Sequence, residues 1–396
     1  MRFTAVTARP ILDTRGRPTV ETTLVTGTLA ATASVPSGKS TGSHEALELR
    51  NADGDVTGAI ANIEGEIARA LIAHDFNFPD ELDAFLIELD GTPDKSRLGA
   101  NALLSVSIAA QRLFALQENV PLWSAIARRA GTTPSAPRLY VNIMNGGVHA
   151  DFRLPFQEYM LVVEGKTSDA FPTAKEAFAK LGERLGTGTP MGDEGGYAPT
   201  FNTLERPFEL LAELAAEFSS TSIAIDVAAS ELYRDGAYRL LDKSYLPQEL
   251  TTIYGSIAVR YPLHSIEDPF HENAGDDFAR LTAMLGGKVL VVGDDLTVTN
   301  SARIKEAAAR KEINAVLIKP NQIGTVREAI QAVQATYAAG WQAIASHRSG
   351  ETHDTFIADF AYGVGAHGIK AGGLGQRERL EKYERLLAIE HEAAVV

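Results

Sequence analysis

The chain contains no cysteine and no long uninterrupted apolar run. The missing cysteine excludes disulfide bonds, thiolate metal sites and thiol nucleophiles. Gln111, Asp226 and Lys288 interrupt the most apolar stretches, so none of these is long enough to span a bilayer. The first residues reach Arg9 and Asp13 without the apolar segment of a secretion signal. We therefore expect a cytoplasmic protein without a membrane span.

Positive charge is also scarce. The 396 residues include 37 Lys and Arg against 51 Asp and Glu, which gives a net charge of −14. Such an acidic chain is repelled by the phosphate backbone of nucleic acids, so we expect no nucleic-acid partner. A small anionic substrate can still bind where a few basic groups converge. The length suffices for two or three domains, or for one barrel with an additional domain.

The first third of the chain predicts an α+β domain. Apolar and polar residues alternate from Phe3 to about Val35, which is typical of an antiparallel meander. Helical periodicity follows over about 56–73 and 101–117. The segment from Thr132 to Pro137 has the composition of a linker. We accordingly predict an N-terminal domain over 1–131 and a second domain over 137–396.

The polar loop 36–42 looks like the end of a phosphate-binding loop. Gly38, Lys39 and Ser40 match the end of that motif. The motif also requires a glycine five positions before Gly38, where this chain has Ala33. A nucleotide site is therefore rejected, and the segment is interpreted as a flexible polar loop.

The pattern changes after the linker, where short apolar runs alternate with longer helical patterns. This alternation predicts an α/β barrel of the (β/α)₈ type. No helical pattern separates the first two runs, so we expect an irregular ββ start. The runs begin near Val141, Gln157, Ile223, Leu263, Val289, Val316, Gln342 and His367.

Charged residues end most of these runs. Asp226, Glu267 and Asp294 end three successive runs, and Lys319 ends the next one. In such barrels the catalytic groups lie at the carboxyl ends of the strands. One carboxylate at a strand end would be interpreted as a helix N-cap, but four charged ends in succession favour a site. Further residues assigned to these ends are Glu158, His347, Arg348 and Lys370.

The three carboxylates form an oxygen ligand set that suits Mg²⁺. Lys319 would then serve as a general base, because the metal and a second lysine, Lys370, disfavour its protonated form and lower its pKa. A base beside Mg²⁺ suits removal of the proton next to a carboxylate, since the metal holds the charge that develops on the carboxylate oxygens. The pattern thus predicts proton abstraction assisted by a metal.

Two more carboxylates and a cationic segment extend the predicted site. Glu194 lies in the glycine-rich segment 191–196, where the backbone can approach a ligand closely. Either Glu194 or Glu158 would protonate a leaving hydroxide. Arg348 and Ser349, with the free backbone amides beside them, would suit a phosphate group.

Each of these residues also has a structural interpretation. Lys319 taken alone is more simply a strand-end lysine that pairs with a carboxylate. Arg348 could be an ordinary ion-pair residue, and a single histidine such as His149 is more often structural than catalytic. Glu158 could be a paired surface carboxylate. The combination of residues, rather than any one of them, favours the site.

The chain resembles the enolases (phosphopyruvate hydratases) over nearly its whole length. That family pairs a lysine base with Mg²⁺. Many long motifs that occur in the family's own order make the resemblance very specific. The matching stretches are 8–16, 35–42, 98–102, 145–150, 192–196, 226–231, 265–269, 293–300, 319–325 and 346–352.

The resemblance implies reversible dehydration of 2-phospho-D-glycerate to phosphoenolpyruvate, a step of glycolysis. It implies that Lys319 removes the C2 proton, and that Glu194, with Glu158 beside it, protonates the departing C3 hydroxyl. It further implies two Mg²⁺ ions per site, one tight and one linked to the substrate, and a homodimer or larger assembly. The tight ion would be held by Asp226, Glu267 and Asp294.

Further roles also follow from the resemblance alone. Arg348 and Ser349 would hold the substrate phosphate together with the second Mg²⁺, and Ser40 would reach that ion when its loop closes. Lys370 would bind the substrate carboxylate. The side chains expected to line the pocket are His149, Gln157 and His347.

Among the departures from the family pattern are two single positions. Gln376 stands where the family usually has arginine, and Lys39 stands where it usually has alanine. Lys39 adds a positive charge to the loop that covers the substrate, which would suit a substrate with an extra negative group. The alternative is therefore a paralogue of secondary metabolism that dehydrates a phosphonate analogue, as carboxyphosphonoenolpyruvate synthases do.

Two other classes of protein were weighed. A fold retained only as a structural or surface-binding protein would have lost site residues, whereas all of them are present. A racemase or cycloisomerase of the same superfamily would lack the Gly192–Gly196 and Ser346–Gly350 stretches. An enolase remains the preferred prediction.

Overall fold

The computed structural model describes residues 1–39 and 42–395. Its N-terminal part begins with the predicted antiparallel meander, in which β2 pairs with both neighbours. The turns between the strands contain Gly16 and Gly27, both in the left-handed region that glycine adopts without strain. The strands are β1 (Ala5–Leu12), β2 (Pro18–Thr26) and β3 (Leu29–Ser34).

Helices cover this small sheet. The predicted periodicity over 56–73 corresponds to two α-helices separated by a π-helical turn, Ile63–Ile67. Helix α4 is buried along most of its length and packs on the sheet, where Ser105 Oγ lies 2.7 Å from Thr22 Oγ1. The helices are α1 (Thr57–Asn62), α2 (Ala68–Ala73), α3 (Pro79–Asp90), α4 (Ala100–Glu118) and α5 (Leu122–Ala130).

The remaining strands form a closed eight-stranded barrel and a small surface meander. Going round the barrel, the order is β10, β11, β12, β13, β14, β4, β5, β6, and β7 to β9 form the meander. The strands are β4 (Arg138–Asn145), β5 (Glu158–Val163), β6 (Thr221–Asp226), β7 (Tyr233–Arg234), β8 (Ala237–Leu240), β9 (Lys243–Tyr245), β10 (Leu263–Glu267), β11 (Leu290–Gly293), β12 (Ala315–Ile318), β13 (Gln342–Ser346) and β14 (Gly368–Gly372). The predicted fold class is therefore confirmed.

The start of the barrel is irregular, as predicted, because β5 runs antiparallel to both β4 and β6. Glu158 is consequently the first residue of its strand and not the last, so its assignment to a carboxyl strand end was wrong. Reversal of the strand still brings Glu158 to the same end of the barrel, where it lies opposite Asp226 in the register. The carboxylate therefore lies at the predicted end of the barrel, but at the start of its strand.

Six of the barrel strands divide their apolar side chains between two clusters. Along β5, Met160 and Val162 belong to a small cluster inside the barrel, whereas Leu161 and Val163 belong to the large core shared with the helices. The helices of this part are α6 (Thr167–Leu185), α7 (Arg206–Ala215), α8 (Ala229–Leu232), α9 (Pro247–Arg260), α10 (Gly275–Leu285), α11 (Ser301–Arg310), α12 (Val326–Ala338), α13 (Phe356–Gly363) and α14 (Arg377–Ala393). Among the helices of the described residues, none has both the length and the apolarity to cross a membrane.

The N-terminal part braces the segment that follows β13. Ser37 and Gly350 exchange two backbone hydrogen bonds of 2.8 and 2.9 Å. A Cβ atom at Gly350 would collide with the carboxylate of Asp13, so the close approach requires glycine. Arg112 of α4 forms a bidentate ion pair with Asp354, with both distances 2.7 Å. These contacts fix the end of β13 relative to the N-terminal loop.

Two histidines meet inside the barrel at the amino ends of the parallel strands. Nε2 of His264 lies 3.0 Å from Nε2 of His367, and the two rings are stacked. Arg138 Nη1 lies 3.3 Å from Nδ1 of His367, which suits an N–H donated to a neutral ring. Burial, and then the charge of Arg138, lowers the pKa of His264 to about 4 and that of His367 to about 3.

This pair predicts a loss of stability in mild acid. The folded state favours neutral rings, whereas histidines of the unfolded chain titrate near pH 6.5, so stability falls as the pH drops from about 6.5 towards 4. Allowing for partial solvent screening, we expect the unfolding free energy to fall by roughly 1–2 kcal/mol between pH 7.5 and 5.5. Urea unfolding at both pH values measures it. The double variant His264→Gln/His367→Gln should flatten the dependence, and the exposed His391→Gln should not. An equal slope in the double variant would refute the assignment.

Candidate active site

The charged residues predicted at the barrel's carboxyl end meet around one cavity. Asp226 ends β6 and Glu267 ends β10, and the two are paired in the sheet register. Asp294 follows β11, Lys319 follows β12, and Lys370 lies within β14. Neighbouring parallel strands thus deliver carboxylates on one side of the barrel mouth and amines on the other.

Lys370 is surrounded by carboxylates. Its Nζ lies 3.1 Å from Glu158 Oε2, 3.1 Å from Asp226 Oδ2 and 2.8 Å from each carboxylate oxygen of Glu267. Burial alone would lower the pKa of this amine, but the carboxylates outweigh burial and raise the pKa of Lys370 well above its ordinary value. The protonated amine therefore holds together oxygens from three strands.

Lys319 forms a separate ion pair with Asp294. Its Nζ contacts Asp294 Oδ2, and its backbone N–H donates to Thr299 Oγ1 at 2.8 Å. Burial favours the neutral amine, but the attraction of Asp294 is stronger and raises the pKa of Lys319. In the chain without a bound metal ion the pKa of Lys319 is thus raised, whereas the predicted lowering included the charge of a Mg²⁺ ion. Lys370 and Arg348 do act to lower it, but the carboxylate in contact with the amine outweighs both.

Glu158 and Glu194 form a buried carboxyl pair on the other side of the mouth. Burial, and then the negative charge of Glu194, raises the pKa of Glu158 well above its ordinary value. For Glu194 burial acts in the same direction, but His149 and a hydrogen bond from Glu158 oppose it, and the pKa of Glu194 is held well below its usual range. The pair therefore shares one proton, which Glu158 carries.

The glycine-rich loop that carries Glu194 rests on the end of β4. Asn142 Nδ2 donates to Glu194 Oε2 at 3.0 Å, and the backbone N–H of Gly196 donates to Asn145 Oδ1 at 3.0 Å. A Cβ atom at Gly192 would collide with the side chain of Asn145, so the loop can lie this close to the strand only with glycine. The loop thereby places a carboxylate over the mouth without a strand of its own.

Arg348 is held by a residue that the sequence reasoning did not single out. Its guanidinium makes a bidentate ion pair with Glu45, with distances of 2.7 and 3.2 Å, and Nη1 lies 3.3 Å from Asn321 Oδ1. Both charged side chains are buried. Glu45 comes from the N-terminal part, far from Arg348 in the chain, so no local pattern points to the contact.

The other predicted pocket residues also reach this cavity. His149 lies in the short 3₁₀ turn after β4, and its Nε2 is 3.6 Å from Glu194 Oε1. Gln157 Nε2 donates to Asp226 Oδ2 at 3.3 Å. Ser349 Oγ accepts the backbone N–H of Lys39 at 2.8 Å. Ser40, the predicted ligand of a second metal ion, lies outside the described residues.

Two family models match almost the entire chain. The model for "Enolase, N-terminal domain" matches residues 3–126, and the model for "Enolase, C-terminal TIM barrel domain" matches residues 134–395. The chain belongs to the enolase family. It is accordingly a carbon–oxygen lyase of the phosphopyruvate hydratase type.

Curated relatives named enolase align with the chain over almost their full length. The chain is 43% identical over 412 residues to Enolase 1 of Methylococcus capsulatus, covering 98% of this chain and 97% of the relative. It is 42% identical over 417 residues to the Enolase of Methanopyrus kandleri, covering 99% and 96%. Both alignments run through the two domains. This chain is therefore expected to act on a small phosphorylated substrate, as enolases do.

Lys39, the residue that departs from the usual enolase loop, is partnered at the mouth of the site. Its Nζ lies 2.7 Å from Asp193 Oδ2 and 2.8 Å from the backbone oxygen of Val148. This lysine is half-exposed and joins the N-terminal loop to the loop that carries Glu194. The positive charge of Lys39 is therefore already balanced by Asp193, which directly precedes Glu194 in that loop.

Asp268 and Asp295 are two further acids at the enolase site that the sequence reasoning missed. Asp268 accepts the backbone N–H of Asp294 at 2.8 Å and that of Asp295 at 2.9 Å. Burial, and then the neighbouring carboxylates, raises the pKa of both side chains well above the ordinary value. A signal was present, because each acid directly follows a strand-end carboxylate, in Glu267-Asp268 and Asp294-Asp295.

These carboxylates fit the Mg²⁺ that enolases typically use. Oxygens of Asp268, Asp294 and Asp295 lie within 4.8 Å of one another. Asp226 and Glu267 share the ammonium group of Lys370, which shows that their oxygens converge on a place for a cation. The donors are buried carboxylates, the ligand type that a hard divalent ion prefers. The acidic clusters are therefore suitable for a metal ion.

Proposed function

We propose that this enolase-family lyase reversibly dehydrates 2-phospho-D-glycerate to phosphoenolpyruvate in a Mg²⁺-dependent reaction. The placement of an amine and a carboxyl pair across one acidic cavity carries the proposal. Lys319 follows β12, and Glu158 begins β5, which lies on the opposite side of the barrel. This arrangement suits an anti elimination, in which a base at C2 and an acid at C3 act from different sides of the substrate.

Lys319 is the proposed base, and in its neutral form it accepts the C2 proton. Asp226, Glu267 and Asp294 would hold one Mg²⁺, whose charge when bound stabilises the substrate carboxylate oxygens and weakens the attraction of Asp294 for the lysine proton. Lys370 binds the substrate carboxylate from the centre of the acidic group. Its fixed positive charge opposes protonation of Lys319 throughout the reaction.

The carboxyl pair completes the elimination at C3. The C–H bond at C2 breaks, the C2–C3 double bond forms, and the C3–O bond breaks as hydroxide leaves. Glu194 delivers the proton of the pair to this hydroxide, so that water departs, and Glu158 lies beside it as the proton store. Burial of both carboxyl groups supports this role, because it keeps the shared proton away from bulk water.

The cationic segment after β13 is proposed to bind the substrate phosphate. Arg348 and Ser349 would hold it, with Ser40 reaching a second, substrate-linked Mg²⁺. The ion pair with Glu45 supports the role of Arg348, because it aligns a buried guanidinium before substrate arrives. The residues proposed to line the rest of the pocket are His149, Gln157 and His347.

The family resemblance supports proposals on domain division, assembly and location. We propose that the chain divides into domains of residues 1–131 and 137–396. We also propose that it assembles as a homodimer or larger homo-oligomer, and that it works in the cytoplasm. Size-exclusion chromatography with light scattering tests the assembly directly.

Ultraviolet absorbance tests the proposed reaction. Purified protein mixed with 2-phosphoglycerate and Mg²⁺ should produce the enol chromophore of phosphoenolpyruvate rapidly. A chelator should abolish the signal, and added Mg²⁺ should restore it, because the substrate carboxylate cannot gain charge without the cation. A folded, metal-binding protein that produces no chromophore would overturn the proposal and leave the phosphonate analogue as the next substrate to try.

Replacement of Lys39 tests whether the substrate is 2-phosphoglycerate or the phosphonate analogue. Because its ammonium already pairs with Asp193, Lys39→Ala should lower kcat/KM for 2-phosphoglycerate by about 2- to 5-fold, the scale of one partly exposed ion pair. Steady-state kinetics on both substrates measure this, and the exposed Lys288→Ala is the matched control. A loss confined to the phosphonate analogue would instead favour the paralogue of secondary metabolism.

A further inference from the structure

Arg379 is a buried cation to which the proposed reaction gives no role. It lies in the first turn of α14, and its side chain is 0% exposed. Its guanidinium donates to neutral acceptors, namely Gln376 Oε1 at 2.6 Å and the backbone oxygens of Ser349 at 2.9 Å, Arg348 at 3.3 Å and Asp193 at 3.3 Å. Among the described residues, no carboxylate lies within ion-pair distance of it. A buried charge without a carboxylate in direct contact is costly, so a specific use is expected.

The guanidinium of Arg379 also contacts Nδ1 of His347. Arginine offers only donors and stays protonated, so Nδ1 of the ring must accept and carries no proton. In a neutral ring the proton then lies on Nε2, which is 3.9 Å from Glu194 Oε2. Burial, assisted by the charge of Arg379, holds the pKa of His347 well below its usual range, which keeps the ring neutral.

We propose that Arg379 is a positioning residue that fixes His347 as its Nε2–H tautomer, so that the ring presents a donor to Glu194 and to a substrate oxygen beside it. The contacts of Arg379 with Asp193 and Ser349 support this role, because they tie the loop of Glu194 to the segment of His347. Its catalytic consequence rests on the proposed dehydration. The tautomer itself does not.

The chain makes room for this arginine. Gly372 has a φ of 88°, and a Cβ atom there would collide with the Arg379 side chain. Gln376 supplies an amide oxygen to Nε of Arg379 and donates Nε2–H to the Asp193 backbone oxygen at 3.1 Å. Gln376 thus offers an acceptor that a cationic side chain at this position would lack, and it orients the buried guanidinium.

Side-chain nitrogen NMR of protein labelled with ¹⁵N-histidine tests the tautomer without any substrate. His347→Gln assigns the signal by its disappearance. The intact protein at pH 7.5 should show His347 protonated on Nε2 alone. Arg379→Met should shift the proton towards Nδ1, because the backbone oxygens that Arg379 now occupies become free acceptors, and Arg379→Lys should restore the Nε2–H form. A ring protonated on Nδ1 in the intact protein would overturn the proposal.

Kinetics test the positioning role separately. Arg379→Met should lower kcat by about 10- to 100-fold with KM changed less than about threefold, by analogy with the loss of groups that orient metal-bound histidines. The same change in a His347→Gln background should cost little more than His347→Gln alone, whereas fully additive losses would overturn the role. The exposed Arg377→Lys is the control. If Arg379→Met does not fold, Gln376→Leu replaces it, and an unchanged His347 signal there counts against the proposal.

Discussion

Lys319→Met is expected to abolish dehydration of 2-phosphoglycerate, with a loss of about 10⁴-fold in kcat, at the upper end of what one general base contributes. The methionine fills the volume of the lysine stem but cannot accept a proton. Loss of the amine should equally stop exchange of the C2 hydrogen with solvent deuterium, because exchange needs the same base. Absorbance follows the dehydration, and proton NMR in D₂O follows the exchange.

A folded protein is required for this result to count. Lys319 is buried against Asp294, so the variant leaves that carboxylate without its counter-charge, and circular dichroism and metal titration must accompany the kinetics. The exposed Lys305→Met on α11 is the matched control and should keep full activity. Rapid C2 exchange in a folded Lys319→Met protein would show that another group is the base.

Glu194→Gln is expected to separate the two halves of the reaction. Dehydration should fall by about 10³-fold, because an amide cannot protonate the leaving hydroxide, within the range for loss of a general acid. Exchange at C2 should persist at a measurable rate, since Lys319 lies on the opposite side of the cavity. Comparing deuterium incorporation with phosphoenolpyruvate formation in one sample measures both halves together.

The neighbouring carboxyl group sharpens this test. Glu158→Gln should lower dehydration about as far as Glu194→Gln, because the amide cannot store the proton that the pair delivers to the leaving hydroxide. The exposed Glu183→Gln on α6 is the control. Equal loss of exchange and dehydration in Glu194→Gln would contradict the division of labour between the two sides of the cavity.

Local patterns sufficed for the fold and for the strand-end charges. The eight apolar runs correspond to the eight barrel strands, and Asp226 and Glu267 end theirs as expected, because strand period and strand ends are recorded in consecutive residues. Local patterns do not show whether a strand runs parallel or antiparallel to its neighbours. Glu158 was therefore placed at the wrong end of β5, although pairing with β6 still brings it to the site.

Contacts between distant segments could not be predicted in the same way. Glu45 holds Arg348, and Arg379 contacts His347, through pairings that only the folded chain creates. The contact of Asp294 with Lys319 could not be predicted either, and in the chain without a metal ion this carboxylate outweighs Lys370 and raises the pKa of Lys319. Residue type alone predicted the chemistry of the site but not the balance of charges within it.

The exchange of backbone hydrogen bonds between Ser37 and Gly350 has a consequence for modularity. Two domain models divide the chain, yet the segment that carries Arg348 takes its shape and its counter-charge, Glu45, from the N-terminal domain. In a barrel produced alone, the guanidinium of Arg348 would lack the carboxylate of Glu45, and Gly350 would lack the N-terminal residues that it packs against. The catalytic unit is thus the whole chain, and recombination between relatives should exchange both domains together.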